Sequence, residues 1–171
     1  MILTDMTTNA LALATQVLHG KVDKGGHPLI GHAIAVAEQQ SDELGTAVAL
    51  LHDVLEDTPL TRHSLVFHGF PDGVVEAVVV LTRRADEPYA VYLARVRDNA
   101  LARRVKLADL RHNSDLSRLS SVSPLDRARV EKYRQAMEFL GQDDTHLKSD
   151  SMGVSPATCR GRALAPSPRP M

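Results

Sequence analysis

The amino-acid sequence predicts an all-α domain. Three observations carry this: apolar residues recur at helical spacing, strand signals are scarce, and short connections separate the periodic segments. Helices are expected near residues 4–19, 28–40, 43–57, 72–82, 87–98, 99–117 and 124–140. The second opens within GGHPLIGHAIAVAEQQ, where Ile34, Val36 and Ala37 read as core positions. The third carries Leu50, Leu51, Val54 and Leu55, and Pro59 marks its end. Next, Thr61 to Gly69 is expected to form a short helix with Leu65, Val66 and Phe67 packed beneath a site. His63 and His68 read there as surface or satisfied polar residues. The stretch VVEAVVVLT is rich in β-branched residues, yet its apolar 3.6-residue period favours helix over strand. Val105, Leu107, Ala108, Leu110 and Leu116 give the 99–117 segment its apolar face. Ser123 as N-cap and Pro124 at the first helical position open the last helix, in which Val130, Tyr133, Met137 and Leu140 form a core stripe.

Gly141 closes that helix, and the composition then changes. Residues 141–171 hold four of the nine prolines, three arginines and few large apolar groups, too little burial to offset the entropy of ordering. One folded domain is therefore expected over 1–140, followed by a disordered or loosely packed tail over 141–171. Its 43% hydrophobic and 24% charged residues are those of an ordinary globular chain, and three Phe, three Tyr and no Trp imply an aliphatic core. Cys159 is the single cysteine, so no internal disulfide can form. No apolar run approaches the length of a membrane span or the pattern of a signal peptide, so a cytoplasmic protein without membrane attachment is expected. A net charge of −1 argues against a nucleic-acid surface. Charge is uneven, however, with nine Lys or Arg against five Asp or Glu from Arg83 to Arg118. Arg83, Arg84, Arg103 and Arg104 could attract an anionic nucleotide, and each equally fits a solvated helix face. There is no internal repeat, and a homo-oligomer is compatible with the chain.

The most informative segment is LLHDVLEDT. In a continuous helix His52, Asp53, Glu56 and Asp57 share a face, so four groups able to bind a metal or move a proton point one way. A His-Asp dipeptide arises readily by chance in a chain with 8 His, so context carries the case. Acidic groups in a last turn oppose the helix macrodipole at a cost of about 0.3–1 kcal/mol each unless a cation compensates. His32, at the start of its amphipathic helix, fits either a ligand or a core or capping residue. Lys106, Asp109 and Asn113 fall at i−3, i and i+4 on one polar face, where Lys106 alone could be the partner of a buried Asp109.

In order, His32, His52-Asp53 and Asp109 resemble the HD-domain metal-dependent phosphohydrolases. LLHDVLEDTPLT, VLT at 80–82 and VKLADLRHN at 105–113 look like the hydrolase domain of Rel/SpoT enzymes and the stand-alone small alarmone hydrolases, through roughly residues 10–140. The resemblance implies an HD-domain helical bundle with the metal site in a central cleft. It implies His32, His52, Asp53 and Asp109 as ligands of one ion, usually manganese; Glu56 and Asp57 as the pair handling the attacking water and its proton; and Asn113 as a nucleotide contact. Two imidazoles and two carboxylates suit Mn²⁺ or a similar borderline ion. The activity implied is hydrolysis of the 3′-pyrophosphate of (p)ppGpp, the alarmone of the stringent response, to GDP or GTP and pyrophosphate. The chain is too short to hold a synthetase domain as well.

One motif departs from the family. Where an Arg-x-x-Gly-x-Pro-Tyr-x-x-His pattern is expected, the chain reads from Asp23 to His32, keeping Gly26, Pro28 and His32 but placing Asp23 and Leu29 at the Arg and Tyr positions. A carboxylate cannot stack on a purine as a guanidinium does, which leaves base preference open. Lys24 can still meet a phosphate or base as a point charge, and a glycine-rich loop can also carry side chains that face water. Alternatives are an HD phosphohydrolase for an adenine alarmone or a nucleoside monophosphate, and a nucleotide-sensing module without catalysis.

Overall fold

A computed structural model describes residues 1–23, 25–119 and 121–142, so Lys24 and all but the first two residues of the 141–171 tail lie outside the described residues. The fold is helical: α1 (Asp5–Val17), α2 (Leu29–Glu38), α3 (Glu43–Leu51), α4 (Val54–Asp57), α5 (Arg62–Phe67), α6 (Asp72–Leu81), α7 (Tyr89–Arg97), α8 (Ala100–Asn113), a 3₁₀ turn (Leu116–Arg118) and α9 (Pro124–Gly141). No strand occurs among the described residues; one antiparallel bridge joins Val22 to Pro28.

α3 is the centre of the bundle. Its residues from Gly45 to Leu51 are all buried, because its sequence is apolar or small on every side. α1, α2, α6 and α8 all pack on it, α2 also meets α8, and α7 and α9 pack on α8 and on each other. Caps fix several starts. Thr4 accepts from the Thr7 amide, Asp42 from Gly45 and Asn99 from Ala102, and Ser123 forms a capping box with Asp126 ahead of Pro124. The core is aliphatic as expected, and the α9 stripe is borne out: Leu140 is fully buried, while Val130, Tyr133 and Met137 are half-buried.

Three expectations need correction. The 43–57 segment is two helices, because α3 stops at His52 and α4 begins after Asp53. The His52 imidazole takes the Ala49 carbonyl at 2.6 Å, the acceptor that the Asp53 amide would use if the helix ran on. The 99–117 segment likewise ends at Asn113. There Ser114 donates its hydroxyl back to the Leu110 carbonyl, and Asp115 accepts from the Ser117 amide and hydroxyl, so local side-chain bonds start a new turn. In α5, Leu65 is buried as predicted, but Val66 and Phe67 are not beneath the site: Phe67 is 85% exposed. Six residues of helix can turn one face inward, and Leu65 occupies it. His63 and His68 are exposed, as expected.

Candidate metal centre and cleft

The break after α3 creates the site. Asp53 sits at the start of α4 with φ −97° and ψ −7°, and its side chain makes no capping bond. The carboxylate is thereby free to turn toward the two imidazoles, placing Oδ2 3.2 Å from His52 Nε2 and 3.8 Å from His32 Nε2. His32, on the first turn of α2, lies with its Nε2 3.1 Å from His52 Nε2. Asp109 of α8 points Oδ1 at the same spot, 3.1 Å from His32 Nε2 and 3.9 Å from His52 Nε2. The structure thus brings the four predicted ligands together from α2, the α3–α4 junction and α8. His32, His52 and Asp109 are buried and could hold a metal ion, with Asp53 approaching from the more open side.

This donor set fits a divalent cation. Ligand atoms about 2.1 Å from a shared ion stand about 3 Å apart at right angles and about 4.2 Å apart when opposite, which brackets the observed spacings. Two ring nitrogens 3.1 Å apart with two carboxylates beside them are otherwise an excess of acceptors, and proton sharing must relieve it. Burial works against charge on His52, but the Asp53 carboxylate and then Asp109 and the Ala49 carbonyl outweigh it, holding the imidazole up at about 9. Burial likewise opposes ionisation of Asp53 and Asp109. His52 outweighs it for Asp53, and Lys106 with the two imidazoles for Asp109, so both carboxyls are held below the usual range.

A second layer fixes these groups. Lys106 donates to Asp109 Oδ2 at 2.7 Å with its ammonium 5.5 Å from the Tyr92 ring centre, leaving Oδ1 for the cluster. The pairing with Lys106 expected for Asp109 is thus present on one oxygen, while the other faces the two imidazoles. Asn113 donates to Asp109 Oδ1 at 2.5 Å, so its amide braces that carboxylate while its side chain also lines the cleft. The cleft, about 320 Å³, is lined by Leu29, the four cluster residues, Glu56, Asp57, Lys106 and Tyr133 among others. Glu56 and Asp57 are exposed on α4 at its edge. The Glu56 carboxylate accepts from the Arg83 amide at 3.3 Å. Burial and then the neighbouring Asp53 charge push the Asp57 carboxyl up. Arg83, Arg84, Arg103 and Arg104 are not among the residues lining the cleft. Arg83 donates to the Glu87 carbonyl and Arg104 pairs with Asp42, so these two serve structure before steering.

The 20–28 loop is ordered around Asp23. Its Oδ1 accepts from the amides of Gly25 and His27 at 2.8 and 3.0 Å, and its Oδ2 from the Arg118 guanidinium. Burial opposes its charge, yet those donors together hold its carboxyl below the usual range. Asp23 therefore does not face water. Gly26, at φ 80°, supplies the left-handed turn that lets the loop close back through the Val22–Pro28 bridge. Two residues near the site escaped the sequence reading. His112 Nδ1 lies 2.7 Å from His32 Nδ1, and Arg118 Nη1 lies 3.1 Å from the same His112 nitrogen. The first had a signal, since His112 is three residues after Asp109 on one helix; the second had none.

No protein-family model matches the chain. Among curated proteins, the guanosine-3′,5′-bis(diphosphate) 3′-pyrophosphohydrolase of Haemophilus influenzae is 31% identical over 163 residues, covering 84% of this chain and 23% of that protein. The bifunctional (p)ppGpp synthase/hydrolase SpoT of Escherichia coli is 31% identical over 145 residues, covering 76% of this chain and 20% of that protein. The chain thus spans about a fifth to a quarter of the length of these relatives. In fold it is similar to the solved structure of a metazoan ortholog of SpoT that hydrolyses ppGpp, with a TM-score of 0.68, 22% identity and coverage of 82% of this chain and 88% of that one.

Proposed function

We propose, for a chain that resembles the HD-domain alarmone hydrolases in sequence and fold, that it is a Mn²⁺-dependent phosphohydrolase releasing the 3′-pyrophosphate of (p)ppGpp to give GDP or GTP. The observation that carries this reading is the convergence of His32 Nε2, His52 Nε2, Asp53 Oδ2 and Asp109 Oδ1 at the floor of a cleft edged by Glu56 and Asp57. One bound divalent ion would supply Lewis acidity, polarising a phosphoryl oxygen and making water acidic enough to attack near neutral pH. His32, His52, Asp53 and Asp109 hold it in this proposal. Glu56, fixed by the Arg83 amide, orients the attacking water, and Asp57, whose carboxyl is pushed up, holds and passes a proton. Asn113 and Lys24 are proposed to contact the nucleotide, Asn113 from the cleft wall.

Support comes from the fit of cleft and ligand as well as from the relatives. A volume of about 320 Å³ suits a nucleotide partly open to solvent. Among the described residues no helix is long and apolar enough to cross a membrane. A second reading, hydrolysis of another nucleotide, is favoured by Asp23: it ties the loop to Arg118 instead of offering a guanidinium from its own position. The test is pyrophosphate release from guanosine and adenosine 3′-pyrophosphate nucleotides, with Mn²⁺ and with chelator, using Asp53→Asn as the blank. Metal-dependent release from the guanosine substrate that Asp53→Asn loses supports the proposal. Release from the adenosine substrate alone transfers it to the second reading, and no release from either with Mn²⁺ bound rejects hydrolysis of alarmones.

A further inference from the structure

A side-chain chain runs from the loop into the cluster: Asp23 to Arg118, Arg118 to His112, and His112 to His32. Its direction follows from what each group can do. A guanidinium only donates, so Arg118 Nη1, 3.1 Å from His112 Nδ1, requires a lone pair on that nitrogen. A proton on His112 Nδ1 would instead face the Arg118 N–H. His112 Nδ1 is therefore an acceptor shared in a three-centre bond, and the remaining donor at 2.7 Å is His32 Nδ1. With its proton on Nδ1, neutral His32 has its lone pair on Nε2, the atom 3.1 Å from both His52 Nε2 and Asp109 Oδ1. His52 is oriented more simply, by Nδ1 donating to the Ala49 carbonyl, which turns Nε2 toward the cluster.

We propose that His112 is a positioning residue for the metal site: held as an acceptor by the Asp23-anchored guanidinium of Arg118, it takes the Nδ1 proton of His32 and so presents the His32 Nε2 lone pair to the ion. This rests on the metal-site reading above and extends it to residues outside the cluster. A ligating imidazole commonly donates its other N–H to a carboxylate or carbonyl; here a second imidazole does that work and has to be kept in acceptor form by a cation. Asp23 supplies the other half, because a buried or half-buried guanidinium needs an anion. Its Oδ1 is tied to Gly25 and His27, so the position of Arg118 is coupled to the conformation of the 20–28 loop. The loop that departs from the expected motif is thus linked to the ligand set by three contacts.

The experiment is Mn²⁺ titration by electron paramagnetic resonance on the full chain, with nitrogen-detected NMR of His32 in the Zn²⁺-loaded protein. His112→Phe, which fills the space without an acceptor, should weaken Mn²⁺ by about 10–100-fold and remove the single His32 Nδ1–H signal. His112→Asn places an amide oxygen near the original Nδ1 and should recover affinity to within about threefold while keeping that signal. Arg118→Met should weaken Mn²⁺ less than His112→Phe and add nothing to it in the double variant. Circular dichroism of each variant separates loss of the site from loss of fold. Wild-type protein that binds no Mn²⁺ overturns the metal reading and this inference with it. Wild type that binds Mn²⁺ while folded His112→Phe binds equally well, or effects of Arg118→Met and His112→Phe that add, overturn the inference alone.

Discussion

Replacing Lys106 with Met tests how Asp109 is kept ionised. The ammonium lies 2.7 Å from Asp109 Oδ2, and Asp109 is 6% exposed, so removal leaves a carboxylate with little water. Breaking a buried pair from one side costs about 3–5 kcal/mol. Two features lower that figure. Lys106 is about one-fifth exposed, so water already solvates part of the pair. His52, whose imidazole is held up at about 9, stands with Nε2 3.9 Å from Asp109 Oδ1 and shares in offsetting its charge. About 2–3 kcal/mol is the expected loss, or about 6–12 °C in Tm for a domain of this size. Methionine retains most of the stem and its packing, so the effect reads charge more than volume. Thermal unfolding followed by circular dichroism, with and without Mn²⁺, measures it. Mn²⁺ at about 100 times Kd stabilises wild type by about 2.7 kcal/mol, and it should stabilise Lys106→Met more, because the ion then takes over neutralisation that Lys106 performed. A metal-free Tm within 2 °C of wild type, on the order of half a kcal/mol or less, would falsify the assignment of Lys106 as the counter-ion of Asp109.

Other expectations concern separate parts of the molecule. Glu56→Gln should keep Mn²⁺ affinity and lose turnover by roughly 10²–10⁴-fold in the pyrophosphate-release assay; unchanged turnover removes Glu56 from the chemistry. Leu65→Ala should cost about 2–5 kcal/mol in urea unfolding because the side chain is fully buried, whereas Phe67→Ser, at an 85% exposed position, should stay within about 0.5 kcal/mol. Glu87 accepts both Arg95 nitrogens, and that bond first, against the effect of burial, holds its carboxyl at about 2, below the ordinary 4.5. Its contribution to stability is therefore fully present above pH 4.5 and lost as pH falls toward 2. Arg95→Met should be less stable than wild type at pH 7, with the gap in urea midpoint narrowing below pH 4.5; a gap that stays constant down to pH 2 shows that the pair does not titrate with folding.

Local pattern and non-local geometry explain which parts could be read from sequence. The helical fold was legible because each signal is short in range: the cap at Ser123, the apolar period of α6, and Lys106 three residues before Asp109; the gathering of His32, His52, Asp53 and Asp109 was legible only through the resemblance. The break at His52 was not, since nothing in LLHDVLEDT interrupts helical periodicity. It depends on an imidazole competing with an amide for one carbonyl, and that imidazole faces His32 and Asp109, both distant in sequence. Phe67 misled for a related reason, because a six-residue helix gives too few turns to fix which apolar residue faces inward. Asp23 shows the limit most clearly. In sequence it is a carboxylate where the resemblance calls for an arginine, and the simplest consequence is a lost contact. In the fold it pairs with Arg118, 95 residues later, which reaches it because Ser114 and Asp115 stop α8 and start a new turn. A guanidinium thus stands beside the cleft on another segment, bonded to the imidazole that braces His32. The departure from the motif thus moves a guanidinium to another segment and pairs it with Asp23, so that end of the site carries an ion pair rather than a lone carboxylate.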